Sequence, residues 1–373
     1  MPKSSSNILA MKLLRRNSLK NLLLLFTLVF ILYIFGVFHH LFETNFYDEF
    51  HYPYDGDIEV FVEKLKHNIT PDVKPINMYN YNFDKNPSFK CFNIENLRLV
   101  FLVKSSPENF DQRIAIRSTW GFERRFSDVE IRTVFLLGQK NNMILQQSVD
   151  EESRRFSDIV QGNFTDSYYN NTFKTMMGLE WASKYCSKAS FYMIVDDDYY
   201  VSTKNVLRFI RYPSNYPDYL IHPMTNIQIL LKQRHIQQLD DLELPDDARL
   251  YAGYVFNSSP HRHMTSKWYV SLTEYPYHMW PPYVTGGATL FSQIALIDMY
   301  YASFYTKHFR FDDIYVGLLA YKTKIEPCHC SEFFFYNKAY NKLNYQYTVA
   351  SHGFKDPKEL IHVWTEQKSL GNA

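Results

Sequence analysis

The chain has no surplus of either charge. Lys and Arg number 40 against 39 Asp and Glu, a formal net charge of +1, so no basic field argues for nucleic acid as a partner. Cysteine is scarce, with only Cys91, Cys186, Cys328 and Cys330 in 373 residues. That is too few for a small disulfide-scaffolded domain and compatible with one or two bridges in an oxidising compartment. A zinc site at Cys328-His329-Cys330 lacks further ligands at any obvious spacing. There is no internal repeat and no low-complexity tract. Aromatic residues are abundant, with 30 Tyr and 30 Phe, and an ordinary core uses them as readily as a carbohydrate site does.

The first strong signal is at the N-terminus. Leu22 to Phe38 carries no charged residue, and with Leu19 to Asn21 it reaches about 20 residues, the length of a helix that crosses a bilayer. Lys3, Lys12, Arg15, Arg16 and Lys20 precede it, and Glu43, Asp48 and Glu49 follow. A positive flank stays cytoplasmic, so the bulk of the chain is expected on the other side. A cleaved signal peptide is the alternative, but the run is long for one and Phe35 to His40 shows no small-x-small site. Sequons at Asn163, Asn170 and Asn257 agree with a lumenal location. The expected organisation is a cytoplasmic tail over 1–18, a transmembrane signal-anchor over 19–38, a lumenal stem over 39–92 and a catalytic domain over 93–373.

From Leu97 onward, apolar runs alternate with helical patterns. Leu97 to Val103, Ile131 to Leu137, Asp158 to Phe164 and Phe191 to Val195 read as strands. Helices are expected from Ser106-Pro107-Glu108 through Thr119, over Met143 to Phe156, and over Tyr168 to Tyr185. In the last of these, Phe173, Met177, Trp181 and Tyr185 mark a buried stripe. The alternation predicts an α/β fold with a mostly parallel sheet, which binds ligands at the carboxyl ends of its strands.

Asp196, Asp197 and Asp198 stand directly at such an end. Three adjacent carboxylates repel one another, and a cation relieves that repulsion; oxygen ligands suit Mn²⁺ or Mg²⁺. In extended chain Asp196 and Asp198 face one site and Asp197 another. A solvated acidic turn is the plain alternative. Arg113 and Arg117, four apart on one helix face, could grip a diphosphate or form surface ion pairs. Asp312 and Asp313 open a helix as caps or as site carboxylates. Trp280, in the Pro- and Tyr-rich stretch that ends at Tyr283, is the candidate for stacking on an acceptor sugar.

These residues, in order, resemble the β1,3-galactosyltransferase and β1,3-N-acetylglucosaminyltransferase family, glycosyltransferase family 31. The motifs are Arg113-Ile-Ala-Ile-Arg117-Ser-Thr-Trp120, Phe135-Leu-Leu-Gly138, Asp158-Ile-Val, and Asp166-Ser-Tyr-Tyr-Asn170-Asn-Thr172-Phe-Lys174-Thr. The Asp196–Asp198 triplet follows, then Lys267-Trp268, Tyr283 with Gly286, Asp312-Asp313-Ile-Tyr-Val-Gly317, and His352. The resemblance spans Leu97 to Trp364. It implies a GT-A type fold, Golgi residence, a UDP-sugar donor, Mn²⁺ (or Mg²⁺), a glycoprotein or glycolipid acceptor, and inversion at the anomeric carbon. By the same match Asp198 would be the main metal carboxylate, with Asp196 beside it and His352 a further ligand. Arg113, Arg117, Lys174, Asp197, Gly286 and Gly287 would hold the donor, Trp280 and Tyr283 would meet the acceptor, and Asp313 would be the base. Galactose is the first expectation for the sugar, with N-acetylglucosamine or N-acetylgalactosamine behind it. A silent glycan-binding relative is the reading from another class.

Three departures from the family pattern stand out. Gly286-Gly287-Ala288-Thr289 stands where a Gly-x-Gly-Tyr pattern is usual, Val284 stands where Cys is common, which alters the usual disulfide pattern, and Asp312 stands where Glu is typical.

Overall fold

The structure is a computed structural model describing residues 4–79, 82–221, 244–245 and 247–373, with side chains from Leu19 onward. It divides into two units. Met1–His51 and Asn257–Trp280 form the first, and Tyr52–Phe256 with Pro281–Ala373 form the second.

The second unit is built on an eight-stranded sheet. Its strands are β1 (Phe83–Lys85), β2 (Leu97–Lys104), β3 (Glu130–Gln139), β4 (Ile159–Thr165), β5 (Phe191–Asp196), β7 (Tyr251–Phe256), β8 (Tyr283–Ser292) and β9 (Cys328–His329), in the order β1-β4-β3-β2-β5-β8-β7-β9. β6 is Tyr199–Val201, which with β10 (Phe333–Phe334) and β11 (Ala350–His352) makes a small second sheet. The four expected strands are β2, β3, β4 and β5, all parallel to one another. Their crossovers are the helices Phe110–Ser118, Met143–Phe156 and Asn171–Tyr185. β2 reads Leu-Arg-Leu-Val-Phe-Leu-Val-Lys, and all but Arg98 are buried, as expected for a strand covered on both faces.

The first crossover helix starts at Phe110, later than Ser106-Pro107 suggests. The intervening loop is held in another conformation by buried cations, described below. Beyond β5 the sheet turns antiparallel through β8 and β7. Gly286 and Gly287 lie inside β8.

The segment expected to be a stem is folded. Glu59–Lys66 is a helix, β1 pairs antiparallel with β4, and Cys91 is bonded to Cys186. Cys328 and Cys330 are free thiols.

The N-terminal helix runs Ser4–Ile34, ending short of 38. Among the described residues no helix is long and apolar enough to cross a membrane.

Candidate active site

The site is assembled at the carboxyl ends of β2 and β5. The strand register sets Lys104 beside Asp196 as Cα partners. Lys104 is 5% exposed, and its ammonium meets Asp196 at 3.0 Å, Asp312 at 2.7 Å and the Gly286 carbonyl oxygen at 2.9 Å. Burial opposes the ammonium charge, but the two carboxylates outweigh it and push its pKa up. One buried cation thus joins the end of β5, the backbone of β8 and the first residue of the Asp312–Lys322 helix.

Sequence reasoning missed Lys104. The signal was a lysine ending an otherwise apolar strand, because a buried ammonium requires anionic partners.

The acidic triplet does not stay extended. β5 ends at Asp196, and Asp197 and Asp198 form the turn into β6. The two-residue alternation therefore stops at Asp196, although the charges of Asp196 and Asp198 both still act on His352. Asp196 is committed to Lys104 and, chiefly by burial, has a carboxyl pushed up to about 6. Asp197 accepts from Ser105 Oγ at 2.6 Å and Asn109 Nδ2 at 2.9 Å, and burial raises its pKa. Asp198 lies 3.1 Å from His352 Nε2. β11 pairs with β6 so that His352 lies opposite Tyr199, and this brings it to Asp198 from 154 residues away in the chain. The Asp198 hydrogen bond raises the imidazole pKa. Among the described residues no group of three or more His, Cys, Asp or Glu could hold a metal. The chemistry of the Asp198–His352 pair nevertheless fits a divalent ion that takes its other ligands from phosphate and water.

Arg113 and Lys174, expected as donor ligands, are buried supports, and Arg117 is braced by internal carboxylates. Arg113 is fully buried. Its five donors go to Glu152 (2.8 and 2.6 Å), Ser105 Oγ (3.0 Å), the Ser106 carbonyl (2.6 Å) and the Pro107 carbonyl (3.3 Å). Arg117 pairs with Asp158 at 2.8 Å and Glu152 at 2.7 Å. Lys174 donates to the Ser105 carbonyl at 2.6 Å and meets Asp166 at 2.9 Å. The physical reason is burial: Arg113 and Lys174, with acidic partners inside the protein, have no donors left for a ligand, whereas Arg117 Nη1 has no partner among the described residues. Arg113 and Lys174 fix the Ser105–Pro107 loop, and Ser105 in turn holds Asp197.

Asp313 opens the Asp312–Lys322 helix, and its carboxylate accepts from the Ile314 amide at 2.8 Å. It makes no ion pair among the described residues. Burial and the neighbouring Asp312 push its carboxyl up to about 7. For Asp312 burial also acts upward, but Lys104 and Thr175 at 3.0 Å outweigh it and hold the carboxyl below its ordinary value. Gly286 lies against this pair: a Cβ there would sit 3.3 Å from Asp313 Cβ and 3.4 Å from Asp312 Oδ1. A Cβ on Gly287 would overlap the Tyr199 hydroxyl.

A cleft of ≈ 650 Å³ opens beside Asp197 and Asp198, walled by Glu108, Asn109, Asp111 and Lys355. That is within the size range of ligand sites. Asp313 lines a separate, tight crevice with Thr175, Gly286 and Asp312.

Trp280 belongs to the first unit and is 5% exposed, its ring 4.0 Å from that of Tyr275. It is buried against its own loop, so it does not present the sugar platform expected of it. Tyr283 is half-buried at the start of β8, its ring 5.9 Å from Phe256. Asn163 and Asn257 are exposed and Asn170 half-buried.

The galactosyltransferase family matches residues 111–237 and 217–331. Over 368 residues the chain is 40% identical to beta-1,3-galactosyltransferase brn of Drosophila melanogaster, covering 96% of this chain and 98% of that protein. It is 33% identical over 297 residues to beta-1,3-galactosyltransferase 1 of Mus musculus, covering 79% and 81% respectively. The galactosyltransferase LgtC, solved with donor and acceptor sugar analogues, aligns with 72% of this chain and 99% of its own at 12% identity and a TM-score of 0.34. On the family match and the two sequence relatives, this is a glycosyltransferase. The chain belongs to the β1,3-galactosyltransferase family.

Proposed function

We propose that the enzyme has a GT-A type fold and transfers galactose from UDP-galactose to a hydroxyl of a glycoprotein or glycolipid acceptor, forming a β1,3 bond with inversion. The same site chemistry serves UDP-N-acetylglucosamine or UDP-N-acetylgalactosamine. The observation that carries the reading is the Lys104 bridge. It neutralises Asp196 and Asp312, while the neighbouring Asp313 makes no ion pair among the described residues and has a carboxyl pushed up to about 7. A base poised near the working pH is what proton removal from an acceptor hydroxyl requires.

In this reading the acceptor oxygen forms a bond to the anomeric carbon while the bond from that carbon to the UDP oxygen breaks. Asp313 takes the hydroxyl proton. Asp197 and Asp198 line the donor cleft, and Asp198 and His352 would hold Mn²⁺ or Mg²⁺. When bound, the ion neutralises the charge developing on the departing diphosphate. The Ser105–Pro107 loop, fixed by Arg113 and Lys174, keeps Asp197 aimed at the donor.

The long apolar segment and its basic flank support a single-pass type II orientation with the catalytic unit lumenal, and the family resemblance supports the Golgi as the membrane. A donor screen on the detergent-solubilised full chain tests the activity. UDP release from UDP-galactose, lost with chelator and in Asp198→Ala, is the expected result. Release from another UDP-sugar alone would reassign the donor, and a folded chain that binds no UDP would support the silent glycan-binding reading.

A further inference from the structure

The first unit joins two distant pieces of chain just after the apolar helix. The Met264 amide donates to the Ile34 carbonyl at 3.0 Å, and the Phe35 and His263 rings stack at 4.5 Å. Gly36 has φ +79°, and a Cβ there would overlap the Arg262 carbonyl, so the helix exit turns where only glycine fits.

Beyond the turn, Arg262 locks the segment down. Its guanidinium pairs with Glu43 at 2.8 Å, both side chains nearly fully buried, and donates to the carbonyls of Val270, Tyr275 and Tyr277. The Thr44 amide donates to the Pro276 carbonyl at 2.9 Å, and the His51 amide to Tyr277 Oη at 2.8 Å. A tether does not bury an ion pair. The chain also crosses between the two units three times, after His51, Phe256 and Trp280.

This well-bonded unit nonetheless exposes large apolar groups next to the helix exit. Leu41 is 76% exposed, Phe42 74%, Tyr47 74%, Trp268 51% and Met264 42%. Leu19, residues 22–26 and Phe30 of the preceding helix are exposed as well, and the charge of Glu43 and Arg262 is spent inside. Apolar side chains with Trp and Tyr, directly at the end of an apolar helix, match the interfacial zone of a bilayer.

We propose that residues 39–51 and Asn257–Trp280 form a collar seated in the lipid interface, so that this unit is held at the membrane surface rather than on a free stalk. The inference rests on the anchor reading above.

The test uses the full chain in phosphatidylcholine vesicles brominated near the headgroup end of the acyl chains. Of the five tryptophans, Trp120, Trp181, Trp280 and Trp364 are all 5% exposed or less, so bromine quenching of tryptophan emission reports on Trp268. Quenching is expected, with about a twofold or greater loss in Trp268→Phe and in Leu41→Ser/Phe42→Ser, as interfacial aromatic seating requires. Protein that resists alkaline carbonate extraction but shows equal quenching in wild type and Trp268→Phe would overturn the collar and leave the anchor standing. Extraction by carbonate would sink both.

Discussion

Lys104 and Asp312 form a 2.7 Å ion pair between the last residue of one strand and the first residue of a helix 208 positions later. Neither residue is adjacent to the other's element in sequence, and the pair fixes where Asp313 stands. Replacing Lys104 by Met should cost about 3–5 kcal/mol of stability, because it leaves Asp196 and Asp312 buried without their counter-charge. Urea unfolding measures this. Lys104→Met combined with Asp312→Asn should recover part of the loss, whereas additive losses would show that the pair is not the source.

Asp313 makes opposite demands on activity and stability. As the base it must be ionised, so kcat/KM should fall as pH drops below about 7. Asp313→Asn should lower kcat by roughly 10²–10⁴-fold and abolish that limb. The stability sign is reversed. A folded-state pKa above the ordinary carboxylate value means the folded protein binds the proton more tightly. That contribution is fully present below the unfolded value of about 3.9 and lost as pH rises through the folded one. Asp313→Asn should therefore unfold at a higher temperature than wild type at pH 8, with little difference at pH 4. An equal shift at both pH values would contradict the buried-carboxylate account.

Elements that depend on local pattern were legible in the sequence. Leu97–Lys104 and Phe191–Asp196 are continuous apolar runs and became central parallel strands. Asn171–Tyr185 carries a helical stripe and became a helix. Residues whose partners are remote were not legible. Arg113 and Glu152 are 39 positions apart, and nothing in a four-residue spacing of arginines distinguishes a phosphate grip from an internal brace. Asp197 left the strand because the chain turns after Asp196, which no period-two argument anticipates. Lys104 acquired meaning only when the register set it beside Asp196.

The bracing role of Arg113 separates cleanly from a ligand role. Arg113→Ala leaves Glu152 buried, with Arg117 still beside it. Breaking a buried pair this way should lower stability by about 3–5 kcal/mol. It should also loosen Ser105 and weaken donor binding as a consequence. Arg113→Ala/Glu152→Ala should be less destabilised than the sum of the single changes, because one buried charge no longer lacks its partner. A direct donor contact predicts the reverse pattern: KM rises while the thermal midpoint stays put. Thermal melts alongside donor titrations decide between them.

Gly287 gives a steric test of how the two sheets are coupled. It sits in β8, and the space a side chain would take is filled by the Tyr199 hydroxyl. The Tyr199 ring also meets His352 edge-on at 5.2 Å, and the Tyr199 carbonyl accepts from the Trp120 indole at 3.1 Å. Tyr199 is 2% exposed, so it has no open space to retreat into. Gly287→Ala should then cost about 1–3 kcal/mol through overpacking. The displaced ring should carry His352 with it and weaken metal-dependent UDP binding. A Phe at this position would still leave ring carbons 2.5 and 2.7 Å from the new methyl, so the relieving change is Tyr199→Leu, and Gly287→Ala/Tyr199→Leu should regain part of the stability and the UDP affinity lost in Gly287→Ala. If Tyr199→Leu leaves the defect in UDP binding untouched, Gly287 acts on the donor through its own backbone and not through Tyr199.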